Sequence, residues 1–294
     1  MTNDHDYVFL NGEIVGRDKA MVSAFDRGFL YGDGVFETMR SYEGVVFRLG
    51  DHLRRLSLSA EELRIDLPMP VEKIAGAARK LIELNRLNDA YVRISLTRGE
   101  HTGSIALVGA RAATLLIDCR PLRPYPVEWY VNGIRLATSM SRRSRSALAP
   151  RHKSLSYIEN ILALNKAREE GAHEALILTE DGRICEGATS NIFWAAAGRI
   201  CTAAPEANFL CGITRAVVVE ICGRLGIEVD EGLFRPSELA RADEVFITNS
   251  IMEIMPVAAV DARPIGNGPG KLTARLRQEY AAEVTRAVDK DRAE

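Results

Sequence analysis

Lysine is scarce in this chain of 294 residues: seven lysines stand against thirty-one arginines. Neither sign of charge prevails. Lysine and arginine total 38, aspartate and glutamate 40, and the net charge of −2 argues against the basic surface of a nucleic-acid binder. No uninterrupted apolar run approaches the ~18 residues that a membrane-spanning helix needs. Met1-Thr2-Asn3-Asp4-His5-Asp6 lacks the basic-then-apolar order of a secretory signal, so a cytoplasmic protein is expected. Cysteine is also sparse. Cys119, Cys185, Cys201, Cys211 and Cys222 are odd in number and scattered, with no CxxC pair and no Cys/His spacing of a metal site. Reduced thiols and no metal are expected. Internal repeats and low-complexity tracts are absent.

What is present reads as an α+β protein of two domains, since single cores stop growing near about 250–300 residues. Tyr7–Leu10, Asn11-Gly12 and Glu13-Ile14-Val15 predict a hairpin, because Asn-Gly favours the tight two-residue turn. Tyr31-Gly32-Asp33-Gly34-Val35-Phe36-Glu37 leads from a glycine-rich bend into a strand over 35–41. Leu53, Leu56, Ala60 and Leu63 have helical spacing, and a second helix is expected from Val71 to Leu84 after Pro68 and Pro70. In 90–98, Val92, Ile94 and Leu96 alternate with Tyr91, Arg93, Ser95 and Thr97, which predicts a strand with one apolar and one polar face. Pro121, Pro124 and Pro126 mark 119–129 as a semi-rigid linker between domains at 1–118 and 130–294. A helix over 155–170 is expected to bury Ile158, Ile161 and Leu162 and to end at Gly171. Another opens at Gly212-Ile213-Thr214 and ends at Gly226, and a polar helix over 271–288 closes the chain.

Three sets of residues invite one chemistry. Lys153 stands where a basic polar loop, 141–146, gives way to an apolar helix. Glu186 lies at a strand end among small and apolar neighbours, and a carboxylate buried there needs a positive partner. Gly212-Ile213-Thr214 offers free N–H groups and a hydroxyl at a helix start, a place that suits a phosphate. Arg55 can add a charge-assisted bond, and Thr248 and Ser250 further hydroxyls. An amine, an acid and a phosphate cradle are what pyridoxal phosphate requires of a protein. Each also has a plain reading: a solvated lysine, a turn glutamate, an ordinary helix cap, a surface arginine.

Taken in order, the motifs Tyr31–Glu37, His52–Arg55, Lys153-Ser154-Leu155-Ser156-Tyr157, Glu186-Gly187 to Asn191-Ile192-Phe193, Gly212-Ile213-Thr214-Arg215, and Thr248-Asn249-Ser250 to Glu253-Ile254 resemble the fold-type IV pyridoxal phosphate enzymes. These are the class IV aminotransferase family: branched-chain aminotransferases, D-amino acid aminotransferases and aminodeoxychorismate lyases. The resemblance runs from Tyr7 to Val257. It implies a two-domain fold with Lys153 in the C-terminal domain, sites at the domain interface, and a homodimer or higher homo-oligomer. It also implies Lys153 as the Schiff-base lysine and proton carrier, and Glu186 as partner of the pyridine nitrogen. Arg55, Ile213, Thr214, Thr248 and Ser250 fall to the phosphate side, and Tyr157 to the ring hydroxyl. Tyr91-Val92-Arg93 resembles the strand that binds substrate carboxylate in branched-chain enzymes, with Tyr31 and Phe36 as apolar contacts. The stretch after Arg98, Glu100-His101-Thr102-Gly103, does not match the Arg-x-His trap of D-amino acid enzymes. Thr38 replaces the usual glycine of the branched-chain enzymes and resembles the lyases. The expected activity is amino transfer from a branched-chain-like L-amino acid to a 2-oxo acid such as 2-oxoglutarate. Release of 4-aminobenzoate and pyruvate from aminodeoxychorismate is the alternative, and D-amino acid or (R)-amine transamination a second one.

Overall fold

The computed structural model describes residues 7–100, 105–107, 112–196, 198–266 and 268–293. The chain divides into two units. The first comprises Met1–Arg123, His152–Ser156 and Val284–Glu294, and the second Pro124–Arg151 and Tyr157–Glu283.

In the first unit β1 (Tyr7–Leu10) and β2 (Glu13–Gly16) form the expected hairpin. Asn11 and Gly12 both have positive φ, 51° and 105°, as the Asn-Gly turn requires. A short helix, α1 (Arg27–Tyr31), precedes β3 (Gly34–Tyr42) and β4 (Val45–Val46). Then come α2 (Leu49–Glu62), α3 (Val71–Leu84), β5 (Ala90–Thr97) and β6 (Thr114–Pro121). The strands make one antiparallel sheet in the order β2-β1-β6-β5-β3-β4. One face of it carries Val35, Met39, Val92, Ile94 and Leu96 into a core shared with Leu53, Leu56 and Ala60 of α2 and Ile74, Ala78 and Leu81 of α3. Each large side chain buried there contributes about 1.5–3 kcal/mol. The other face is polar, and register decides what it presents. Thr38 stands opposite Arg93, Phe36 opposite Ser95, and Arg40 opposite Tyr91.

The second unit holds α4 (Val127–Asn132), β7 (Ile134–Arg143), α5 (Ile158–Glu169), β8 (Glu174–Thr179), β9 (Ile184–Gly187) and β10 (Asn191–Ala196). It continues with β11 (Arg199–Ala203), α6 (Ile213–Leu225), β12 (Val229–Gly232), β13 (Glu244–Asn249), β14 (Glu253–Val260) and β15 (Arg263–Pro264). The mixed sheet runs β12-β11-β10-β13-β14-β7-β8-β9, with β15 on β14. The last helix is α7 (Lys271–Ala293), whose start is capped by Glu244: its carboxylate accepts from Leu272 N, Thr273 N and Thr273 Oγ1. No helix among the described residues is long and apolar enough to cross a membrane.

Three expectations are revised. The division between the units, Arg123 to Pro124, falls inside the proline-rich stretch, but the connector is shorter than 119–129, because Cys119–Pro121 completes β6 and Val127–Asn132 is helical. The segment carrying Lys153 clusters with the first unit, not with the C-terminal one. Its main chain explains why: Phe36 N donates to Lys153 O at 2.8 Å, and Leu155 N to Gly34 O at 2.9 Å. In α5 the burial is reversed. Ile158, Ile161 and Leu162 are 61%, 55% and 59% exposed, while Asn160, Ala163 and Ala167 are buried. The helix lies on β7 and β8 through small side chains that permit close approach.

Candidate active site

The expected site residues fall into groups, each built on a different part of the fold. The first centres on Phe36, inward on β3. The Lys153 amine lies 4.7 Å from its ring centroid and the Arg93 guanidinium 3.9 Å. Arg93 Nε also donates to Ser95 Oγ at 3.1 Å. Burial works to raise the Tyr91 pKa, but the neighbouring side chains of Thr38 and Arg93 and the charges of Arg93 and Arg120 prevail and lower it. Arg93 has no carboxylate partner among the described residues. Thus β3–β5 register brings Phe36, Thr38, Tyr91 and Arg93 together, and the main-chain bond from Phe36 adds Lys153. Tyr31 is not part of this cluster: it ends α1, half-exposed, with Arg27 stacked on it at 5.3 Å. His101–Gly103 lie outside the described residues.

Behind this face sits a group that sequence reasoning missed. Glu37 points to the apolar side of β3 and is 1% exposed. Arg55 Nε and NH2 each donate to its carboxylate at 2.7 Å, and His52 Nδ1 lies 2.7 Å from Oε2. Since a carboxylate only accepts, His52 donates from Nδ1. Burial pushes the His52 pKa down; Glu37 opposes this, and the charges of Arg55 and Lys153 reinforce it. The alternation Val35, Glu37, Met39 was the available signal, because a charge in an apolar row must have partners. Arg55 thus spends two of its donors on Glu37.

Burial raises the Glu37 pKa, but the charge and bonds of Arg55, with the His52 bond, outweigh it and hold the carboxyl down to about 2 from 4.5. A depressed carboxyl stabilises the fold above its unfolded pKa, and the gain is lost as pH falls through the folded one. Glu37 therefore contributes of order 3 kcal/mol at neutral pH, and that contribution disappears between pH 4.5 and about 2. Glu37→Gln is expected to melt earlier at pH 7 and to lose less on acidification over that window. Thermal unfolding at several pH values measures both effects.

In the second unit Glu186, on β9, is paired with a buried cation that sequence reasoning passed over. Arg143, the last residue of β7, donates from Nε to Glu186 Oε1 at 3.0 Å and from NH2 to Asn160 Oδ1 at 2.9 Å. Asn160 Nδ2 and the Tyr157 hydroxyl both donate to Ala188 O, at 2.6 and 3.0 Å. Burial, with the charges of Glu186 and Glu174, pushes the Tyr157 pKa up, so this phenol stays protonated. The turn after Glu186 is tied by Glu174, whose buried carboxylate accepts from the N–H groups of Ala175, Ala188 and Thr189 and from Thr189 Oγ1. Burial pushes the Glu174 pKa up against these bonds.

The third group surrounds the start of α6. Asn191 Oδ1 accepts from Gly212 N at 3.1 Å, and its Nδ2 donates to Leu210 O at 2.9 Å. A Cβ on Gly212 would meet Asn191 Oδ1 at 2.2 Å, so only glycine fits before Ile213 and Thr214. Gly212 makes no side-chain cap, and the first N–H groups of α6 have no helical acceptors. Thr248 pairs with Asn191 across β13 and β10. Its Oγ1 is fully enclosed with no hydrogen-bond partner among the described residues. Ser250 lies in the following turn, which Asn249 Oδ1 shapes by accepting from Ile251 N and Met252 N. An orphaned buried hydroxyl beside an open helix start fits a phosphate, and Lys153 and Glu186 fit the aldehyde and ring nitrogen of pyridoxal phosphate.

A fold of this kind with such donors defines a pyridoxal-phosphate transaminase. The class IV amino-transferase family model matches residues 34–260, and the chain belongs to that family. A Methanocaldococcus jannaschii protein assigned as a branched-chain-amino-acid aminotransferase is 39% identical, over 93% of this chain and 94% of its own. The aminodeoxychorismate lyase of Bacillus subtilis is 31% identical, with 96% of each chain covered. The D-alanine aminotransferase of Bacillus licheniformis is 33% identical, covering 92% and 94%. Among solved structures, the branched-chain amino acid aminotransferase of Escherichia coli has a TM-score of 0.91 at 30% identity, over 95% and 94% of the two chains.

Proposed function

We propose that this enzyme moves the amino group of a branched-chain-like L-amino acid to a 2-oxo acid such as 2-oxoglutarate. The observation that carries the reading is Arg93, a guanidinium without an acid partner among the described residues, held on the same phenylalanine ring as the Lys153 amine. An arginine so placed suits a substrate carboxylate, which it can meet with two parallel bonds. The similarity to branched-chain aminotransferases supports the choice of substrate. Pyridoxal phosphate supplies an aldehyde for the amine and a ring that draws electrons from the reacting carbon. Lys153 anchors it, and its Nζ takes the substrate's α-proton and later returns it. Glu186, backed by Arg143, would pair with the ring nitrogen. The Thr248 hydroxyl, the first N–H groups of α6 at Ile213 and Thr214, Ser250 and Arg55 would hold the phosphate. Tyr157 stands toward the ring hydroxyl. Phe36, on whose ring both cations lie, would contact the substrate side chain.

A panel of L-leucine, D-alanine, (R)-1-phenylethylamine and aminodeoxychorismate tests the assignment. Amine transfer from L-leucine is expected, and pyruvate from aminodeoxychorismate without any transfer would overturn it. Arg93→Ala is expected to raise KM for amino and oxo acids by roughly tenfold or more, the loss of a charge-assisted pair of about 1.5–3 kcal/mol. Steady-state kinetics with both substrates checks this, and an unchanged KM rejects the role.

The reading includes a homodimer in a reducing, cytoplasmic setting. Ile158, Ile161 and Leu162 form one exposed apolar face on α5, of the kind a second copy covers. Cys119, Cys185, Cys201 and Cys222 are buried free thiols. Light scattering is expected to give twice the chain mass for the native protein and a monomer for Ile161→Glu; a native monomer would refute the dimer.

A further inference from the structure

Lys153 is preceded by a buried histidine that amino transfer does not employ. His152 is 8% exposed. Its Nδ1 stands 3.1 Å from Ser59 Oγ and its Nε2 3.6 Å from Glu62 Oε2. Nε2 is enclosed, with no hydrogen-bond partner among the described residues. Ser59 and Glu62 extend the row on α2 that begins with His52 and Arg55. Steps of three and four residues place all four on one side of the helix. One end of that row grips Glu37 and the other receives His152.

The lysine segment is also held from its other flank. Phe36 N donates to Lys153 O, Leu155 N donates to Gly34 O, and Val35 bridges Ser154. The main chain is therefore tied to β3 at and after Lys153, and to α2 just before it. A lysine has a long flexible stem, so the precision of its amine depends on where its Cα is pinned. An apolar residue would fill a buried slot without leaving a polar atom unmatched, so an imidazole here calls for a specific reason.

We propose that His152 is a positioning residue: docked on Ser59 and Glu62, it fixes the Lys153 main chain and so the reach of Nζ toward the reacting atoms. The proposal rests on the reading of Lys153 as the cofactor lysine. A misplacement of about 1 Å can cost on the order of a hundredfold in rate, so a modest loosening suffices.

The test compares His152→Ala, His152→Asn and Ser59→Ala with the native protein in three measurements. They are the rate at which pyridoxal phosphate added to apoprotein develops its visible band, kcat and KM with L-leucine and 2-oxoglutarate, and thermal midpoint. His152→Ala is expected to slow both band formation and kcat by roughly tenfold or more, with KM within about twofold. His152→Asn, which keeps a polar atom toward Ser59, restores most of the loss, and Ser59→Ala shifts both rates the same way by a smaller factor. Native rates in His152→Ala overturn the proposal. So does a loss that Asn fails to rescue and that tracks a fall in melting temperature. If His152→Ala does not fold, Ser59→Ala decides, and native rates in it overturn the proposal. A native protein that takes no borohydride-stable label on Lys153 refutes the underlying reading, a result distinct from a labelled native protein with unaffected variants.

Discussion

Lys153→Ala is expected to lower kcat by roughly 1,000- to 10,000-fold, the range lost when a positioned acid–base group is removed. Two proposed functions go together in that variant, covalent hold on the cofactor and transfer of the α-proton. They are separable. An exogenous amine such as methylamine can carry protons without anchoring anything, so partial rescue of kcat by added amine is expected, with cofactor retention still poor. The fold should be little affected. The Lys153 carbonyl accepts from Phe36 N and Leu155 N donates to Gly34 O, and alanine at 153 keeps both. Pre-steady-state rates with and without amine, alongside a melting curve, measure this. A Lys153→Ala variant that turns over at the native rate would remove the lysine from the chemistry.

Substitution of Glu186 is expected to have the second largest effect, and its two forms should differ. Glu186→Gln keeps a hydrogen-bond acceptor for Arg143 Nε but removes the charge proposed to pair with the ring nitrogen. Turnover should fall by about 100- to 1,000-fold, as when one preorganised electrostatic contact is lost. Glu186→Ala should lose activity similarly and also destabilise the protein by up to about 3–5 kcal/mol, because it removes the buried acid of Arg143 and leaves only the exposed Glu159 at 3.5 Å. Arg143 and Glu186 are each 8% exposed at the side chain, so water offers little compensation. Denaturant unfolding separates the two variants. Equal stability of Gln and Ala forms would show that the pair is not mutually dependent.

The sequence was most readable where one period governs a segment and local chemistry marks its ends. α3 runs from Val71 to Leu84 as expected, with Pro70 before it and four apolar residues on one side. The Phe36–Arg93–Lys153 cluster was only half legible. The residues carried their motifs, but their convergence depends on the register that sets Thr38 opposite Arg93 and on main-chain bonds from β3 to Lys153. Those bonds also explain why the lysine segment groups with the first unit. α5 misled for a physical reason. Ile158, Ile161 and Leu162 outrank Ala163 and Ala167 in hydrophobicity, yet contact with the sheet favours the small residues. Arg143 stood hidden in a basic stretch that looked solvated. Its role follows from β7 running to its own last residue beside β8, which pairs with the Glu186 strand.

The central claim is that Lys153 is the residue to which the cofactor is attached. Borohydride reduction of the native, pyridoxal-phosphate-loaded enzyme, followed by proteolysis and mass spectrometry, tests it most directly. A phosphopyridoxyl label on the peptide spanning Arg151 to Tyr157, located at Lys153, is the predicted result. A label confined to Lys166 or another lysine, or no label at all on a protein that remains active, would contradict the account.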